Sequence, residues 1–94
     1  MRAPSAGGWF VYLLRCGDGS FYTGITKDVG RRCRQHNEGT ASRYTRSRHP
    51  VRLAYQERHP DRSTALRREA AIKAMSHREK EAIVRRARRG RRAG

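Results

Sequence analysis

Five side chains in this sequence combine types and spacing that suit attack on a phosphodiester. Tyr12 and Tyr22 sit in two short β-prone runs, Arg32 follows ten residues after Tyr22, His36 comes four later, and Glu69 stands in a separate helical stretch. A phenol is a poor base at its free pKa of ~10, but nearby cations favour the phenolate. A charged Arg32 and a His36 beside a buried face cost free energy unless they have partners. A single carboxylate, completed by waters and a substrate phosphate, suits Mg²⁺. Two phenols, an Arg–His pair and one inward carboxylate in a basic surround are the parts needed to hydrolyse such a bond.

These residues need elements to hold them. Residues 9–15 and 21–26 are rich in β-branched and aromatic types and flank Cys16-Gly17-Asp18-Gly19-Ser20, a turn signal, so they predict a β-hairpin. An odd-numbered loop puts Tyr12 and Tyr22 on one face, and a two-residue turn puts them on opposite faces; the residues alone leave both open. Asp28 can cap a helix to about Asn37, with Gly39 as its stop. On it Val29, Cys33 and His36 form a core-facing stripe with Arg32 on the same side. The plain alternative is a snorkelling Arg32 and a satisfied core-edge His36. Residues 39–50 read as a basic loop and residues 51–57 as a third strand ended by His59-Pro60. A second helix fits residues 62–75, capped by Asp61 or Ser63, with Leu66, Glu69, Ile72 and Lys73 on one side. Glu69 interrupts that stripe as either a cation ligand or a member of an ordinary ion pair. Ser76-His77-Arg78-Glu79 is a capping box that opens a third helix. The order ββαβαα is α+β, a small three-stranded antiparallel sheet flanked by helices.

The 94 residues make one domain, expected as a disordered leader at 1–8, a body at 9–84 and an Arg-rich tail at 85–94. Lys plus Arg number 23 against 8 Asp plus Glu, a formal charge of +15. Setting aside one Arg in the leader and six in the tail leaves +8 on the body, so the partner expected is a polyanion. Mean hydropathy is −1.02, and the longest apolar run, residues 9–14, is far short of a membrane span. Two cysteines make no disulfide framework, and the expected location is cytoplasmic. Cys33-x-x-His36 lacks the second ligand pair of a zinc finger.

Val11-Tyr12-Leu13, Tyr22-Thr23-Gly24, Arg32, His36 and Glu69, spread over residues 9–84, resemble the GIY-YIG nuclease superfamily. More narrowly, the chain is similar to its small single-domain bacterial members and to the catalytic domains of the excision-repair incision subunit and of Slx-type nucleases. The resemblance implies same-face tyrosines, and hence the odd loop. It implies Glu69 as the ligand of one Mg²⁺ or Mn²⁺, Arg32 on the scissile phosphate, and His36 orienting a tyrosine or the attacking water. Tyr12 and Tyr22 then line the water site, with Tyr22 favoured as general base. The chain departs from the family in reading Val-Tyr-Leu for the first motif and in having no Asn after Asn37. The expected activity is a divalent-metal-dependent DNA endonuclease, structure-directed and serving repair or recombination, with no small-molecule coenzyme. Lys27, Arg31, Arg43, Tyr44, Arg46, Arg48 and Lys73 are the nucleic-acid-binding candidates, since aromatic and basic residues interleave there. The rivals are a non-catalytic nucleic-acid-binding protein on the same fold and a basic RNA binder of a ribonucleoprotein.

Overall fold

The computed structural model describes residues 8–93; the leader expected at 1–8 lies outside them except for Gly8. Strand β1 (Trp9–Arg15) is apolar without alternation, and Val11, Tyr12, Leu13 and Leu14 are all buried. Such a strand needs cover on both faces and a neighbour on each side. It has them: β1 is the centre of a β2-β1-β3 antiparallel sheet with β2 (Phe21–Thr26) and β3 (Arg52–His59) at the edges. Strand β3 runs two residues past the expected Glu57 and bears a register shift opposite Leu13 and Leu14.

The hairpin closes through Cys16 N–H donating to the Ser20 carbonyl at 2.9 Å, leaving the three-residue loop Gly17-Asp18-Gly19. Gly19 takes φ +87°, a region open to glycine at little cost. Tyr12 then pairs with Gly24 and Leu14 with Tyr22, so both tyrosines face the same side. This is the odd-loop geometry.

Helix α1 (Val29–Asn37) starts where the Asp28 carboxylate accepts from the Arg31 N–H and stops at Gly39, φ +81°. Residues 39–50 are not loop throughout. Ser42 caps a four-residue helix, α2 (Arg43–Arg46), by accepting from Thr45 N–H, a short local signal that the charge of the segment obscures. Helix α3 (Arg62–Lys73) is capped by Asp61, whose carboxylate accepts from Thr64 N–H. Its inner face is Ala65 and Ile72. Leu66, placed by periodicity on the apolar side, is 37% exposed, because the stripe is narrower than its spacing suggests. The Ser76–Glu79 capping box is formed in both directions, at 2.8 and 3.1 Å, and opens α4 (His77–Ala93), which carries residues 85–93 as a continuous helix.

The sheet separates two cores. Val11, Leu13 and Phe21 pack with Ala65, Ile72 and Val84 of α3 and α4. Tyr12, Leu14, Cys16 and Val51 pack with Tyr22, Cys33 and Tyr44 on the α1–α2 side. Asn37 ties the end of α1 to the start of β3, accepting from Val51 N–H at 2.8 Å and donating to Val51 carbonyl at 3.0 Å. On the other side, Glu57 accepts from the Tyr55 hydroxyl and from Arg68 Nε, fastening α3 to β3.

Arg15 donates through both terminal nitrogens to Glu81 at 2.7 Å each, joining β1 to α4. The Arg15 hydrogen bonds hold the Glu81 carboxyl at about 2, against an ordinary 4.5. A carboxylate with a depressed pKa stabilises fully above its unfolded pKa and loses that contribution as pH falls through the folded value. Glu81→Gln is therefore expected to lower the melting temperature by a few degrees at pH 7. The gap to wild type should close between pH 4.5 and 2. Parallel melting curves across that range check it.

Candidate active site

The α1–α2 face of the sheet carries a buried polar chain. The Tyr12 hydroxyl lies 3.0 Å from His36 Nε2, and His36 Nδ1 lies 2.7 Å from Thr45 Oγ1. Thr45 Oγ1 is in turn 3.0 Å from Ser42 Oγ. Tyr12 and His36 are 2% and 1% exposed, so each hydrogen in the chain needs a partner. One direction supplies them all: Tyr12 O–H donates to Nε2, Nδ1–H donates to Thr45, and the Thr45 hydroxyl donates to Ser42. Reversed, the phenolic hydrogen is left with no partner among the described residues.

Electrostatics agree with that direction. Burial, reinforced by Tyr22, pushes the Tyr12 phenol well above its ordinary range, and the opposing Arg32 charge does not offset it. Burial and then the Arg32 charge hold the His36 imidazole below 6.5. Both groups are neutral at pH 7. At Tyr12 desolvation outweighs the charge of Arg32, so the nearby cation does not favour its phenolate.

Gly24 explains how the phenol reaches His36. A Cβ at residue 24 would lie 2.6 Å from the Tyr12 oxygen and 2.7 Å from its ring carbon Cζ, so only glycine fits under the ring. The glycine of Tyr22-Thr23-Gly24 is a packing requirement of Tyr12.

Tyr22 is half-buried at the rim. Its ring centroid is 4.9 Å from His36, 6.4 Å from Tyr12 and 5.9 Å from Tyr44. Arg48 fixes Tyr44: its guanidinium stacks 3.9 Å over that ring, donates to the Tyr44 carbonyl at 2.9 Å and pairs with Asp18 at 3.1 Å. Arg48, one of the nucleic-acid-binding candidates, thus also braces the wall beside Tyr22, with part of its guanidinium still exposed. Arg43 and Arg46 are exposed on α2. Lys27, Arg31 and Arg32 line one groove with Trp9.

Glu69 comes from α3, which packs across β1 and β2, and its charge acts on the Tyr12 phenol. Its side chain is 17% exposed and its ion partner is Lys73 at 3.4 Å, one helical turn on. That pair is the plain alternative foreseen from sequence. With Lys73 more than half exposed it is worth only ~0–1 kcal/mol. Among the described residues no three His, Cys, Asp or Glu side chains converge as a metal cluster. A lone carboxylate suits a hard cation that keeps water and phosphate oxygens as its other ligands. It does not suit zinc, and both His36 nitrogens are already engaged.

Residues 8–82 match the model of the GIY-YIG catalytic domain. The chain belongs to the GIY-YIG family. It is similar to the UPF0213 protein of Desulfotalea psychrophila, 48% identical over 83 residues covering 87% of this chain and 76% of that one. It also resembles a UPF0213 protein of Staphylococcus aureus, 45% identical over 75 residues covering 80% and 92%. Among solved structures it is similar to the UPF0213 protein of Bacillus halodurans, 44% identical with TM-score 0.53 over 82% of each chain. An E. faecalis protein is 37% identical, with TM-score 0.59 over 86% of each chain. The GIY-YIG domain is a nuclease-family domain, which implies a nucleic-acid substrate. No helix among the described residues is long and apolar enough to cross a membrane.

Sequence reasoning missed Thr45 and Ser42, hidden in a segment dominated by charge; the Ser-x-x-Thr spacing of a helix cap was the available signal. Thr45→Val is expected to strand the His36 Nδ1–H and cost about 1–3 kcal/mol. Gly24→Ala is expected to separate Tyr12 from His36 at a similar cost. Urea unfolding of both variants, with His36 tautomer read by ¹⁵N NMR, checks the pair.

Proposed function

We propose that this GIY-YIG protein is a divalent-metal-dependent DNA endonuclease acting on particular DNA structures, in repair or recombination. The observation that carries this reading is the convergence on one buried phenol: Tyr12 is held by His36, flanked by Tyr22, and within the electrostatic reach of both Arg32 and Glu69. Simple DNA binding does not require a lone glutamate whose charge reaches that phenol.

The two tyrosines then divide the work. Tyr12 keeps its proton, because burial disfavours its phenolate and His36 accepts its hydrogen. Tyr22, at the rim and free of that bond, is the general base that takes a proton from the attacking water. His36, made rigid by Thr45, orients Tyr12, and the Tyr12 hydroxyl marks the inner wall of the water site. Arg32 binds the scissile phosphate and stabilises its developing charge. Glu69 would hold Mg²⁺ or Mn²⁺, which supplies Lewis-acid stabilisation of the phosphate when bound. Lys27, Arg31, Arg43 and Arg46 provide the exposed positive charge that draws the DNA backbone in, a salt-sensitive attraction.

The Glu69–Lys73 pair favours the non-catalytic reading, since a carboxylate already neutralised needs no cation. Cleavage of single-stranded, nicked, flap and branched DNA with Mg²⁺, Mn²⁺ or EDTA decides between them. Glu69→Gln and Tyr22→Phe are each expected to lower cutting by about 100-fold or more while DNA binding persists. Undiminished cutting by Glu69→Gln would remove the metal assignment, and salt-sensitive binding without cutting by wild type would establish the non-catalytic reading.

A further inference from the structure

Beside Arg32, outside the Tyr12–His36 chain, lies a groove of about 390 Å³ whose walls include Trp9, Thr26, Lys27, Arg31, Arg32 and Gln35. Its lining combines cations with an aromatic ring. Trp9 is half-buried, with its inner part against the core and its ring serving as a platform for two exposed cations. Lys27 Nζ lies 5.5 Å from the ring centroid and Arg62 Cζ 5.8 Å. The single acidic member, Asp28, is engaged as the cap of α1, accepting from Arg31 N–H at 3.0 Å.

An aromatic wall and clustered cations next to a phosphate-binding arginine are the chemistry of a nucleotide pocket, with a ring for the base and charges for the backbone. We infer that this groove seats an unpaired nucleotide of DNA adjacent to the phosphate held by Arg32, its base stacked on Trp9 and its phosphate met by Lys27 and Arg31. Base stacking outweighs an exposed cation–π contact, so a base can displace Lys27 or Arg62 from the ring and leave them to pair with flanking phosphates. A base inside a duplex has both faces covered by its neighbours and cannot use this wall. The substrate is therefore DNA with a single-stranded nucleotide beside the cut, as in a flap or a frayed branch. The position of the groove next to the scissile phosphate rests on the endonuclease reading; its affinity for an unpaired base does not.

Trp9 is the sole tryptophan of the chain, so its emission reports the groove directly. Wild-type protein is titrated in EDTA with a ten-nucleotide oligothymidylate and, separately, with a blunt-ended duplex, while labelled-DNA anisotropy measures binding independently of Trp9. The oligothymidylate should quench Trp9 in step with anisotropy, and the duplex should raise anisotropy with little quenching. Lys27→Gln, an exposed and structurally mild change, should weaken oligothymidylate binding several-fold, and Trp9→Leu by about tenfold. Binding that leaves Trp9 emission unchanged, or equal quenching by the duplex, overturns the inference. Quenching by a protein that never cuts DNA would leave the groove standing and remove the endonuclease; cutting without quenching does the reverse.

Discussion

The hydrogen bond from Tyr12 to His36 depends on a gap in the neighbouring strand, because the phenol lies where a side chain at residue 24 would be. That contact sets several others. It fixes which strand register the hairpin must adopt, since Tyr12 has to face residue 24 and no other. It draws His36 of α1 onto the sheet, which brings Arg32, one turn earlier, to the same side. It also gives α2 a purpose: four residues are too few for a stable helix alone, and Thr45 is held there by its bond to His36 as much as by its own turn.

The two faces of the sheet divide the labour. The α3–α4 face has an apolar core, in which Val11, Leu13, Ala65, Ile72 and Val84 supply hydrophobic stabilisation. The α1–α2 face is smaller, with an aromatic and polar core, and it carries four of the five residues first singled out. Glu69 alone comes from the other layer. Among the described residues no hydrogen bond joins it to the other four, so its placement relies on the apolar packing of α3 against β1 and β2.

The elements were legible from sequence wherever a local rule dominates. Asp28 and Ser76 cap the helices they were expected to cap, Asp61 is the one of two candidates that caps α3, and the hydrophobic run of β1 marks a central strand. The same-face placement of Tyr12 and Tyr22 was not legible from the residues alone, since it turns on the parity of a glycine loop; the family resemblance indicated it and the register has it. The segment at 39–50 was misread because its charge suggested solvent, whereas Thr45 is buried by a tertiary bond that no local pattern announces. The bracing role of Arg48 was not legible for the same reason: a guanidinium's contact with Asp18 and Tyr44 depends on the distant hairpin tip reaching it. Periodicity placed Leu66 on the apolar side, but α3 buries Ala65 and Ile72 and leaves Leu66 at the edge of that face.

The sheet order leaves β3 as an open edge, with Arg52 and Arg58 exposed along it and Leu53 40% exposed. An unpaired edge invites another copy to add a strand, and positive charge is what discourages it. In a chain of formal charge +15 that protection is strong while the protein is free. It weakens when many copies gather on one polyanion, because the phosphates that attract them also cancel their mutual repulsion. Crowding on nucleic acid is thus the condition under which this fold is most exposed to self-association, through a strand that carries none of the candidate site residues.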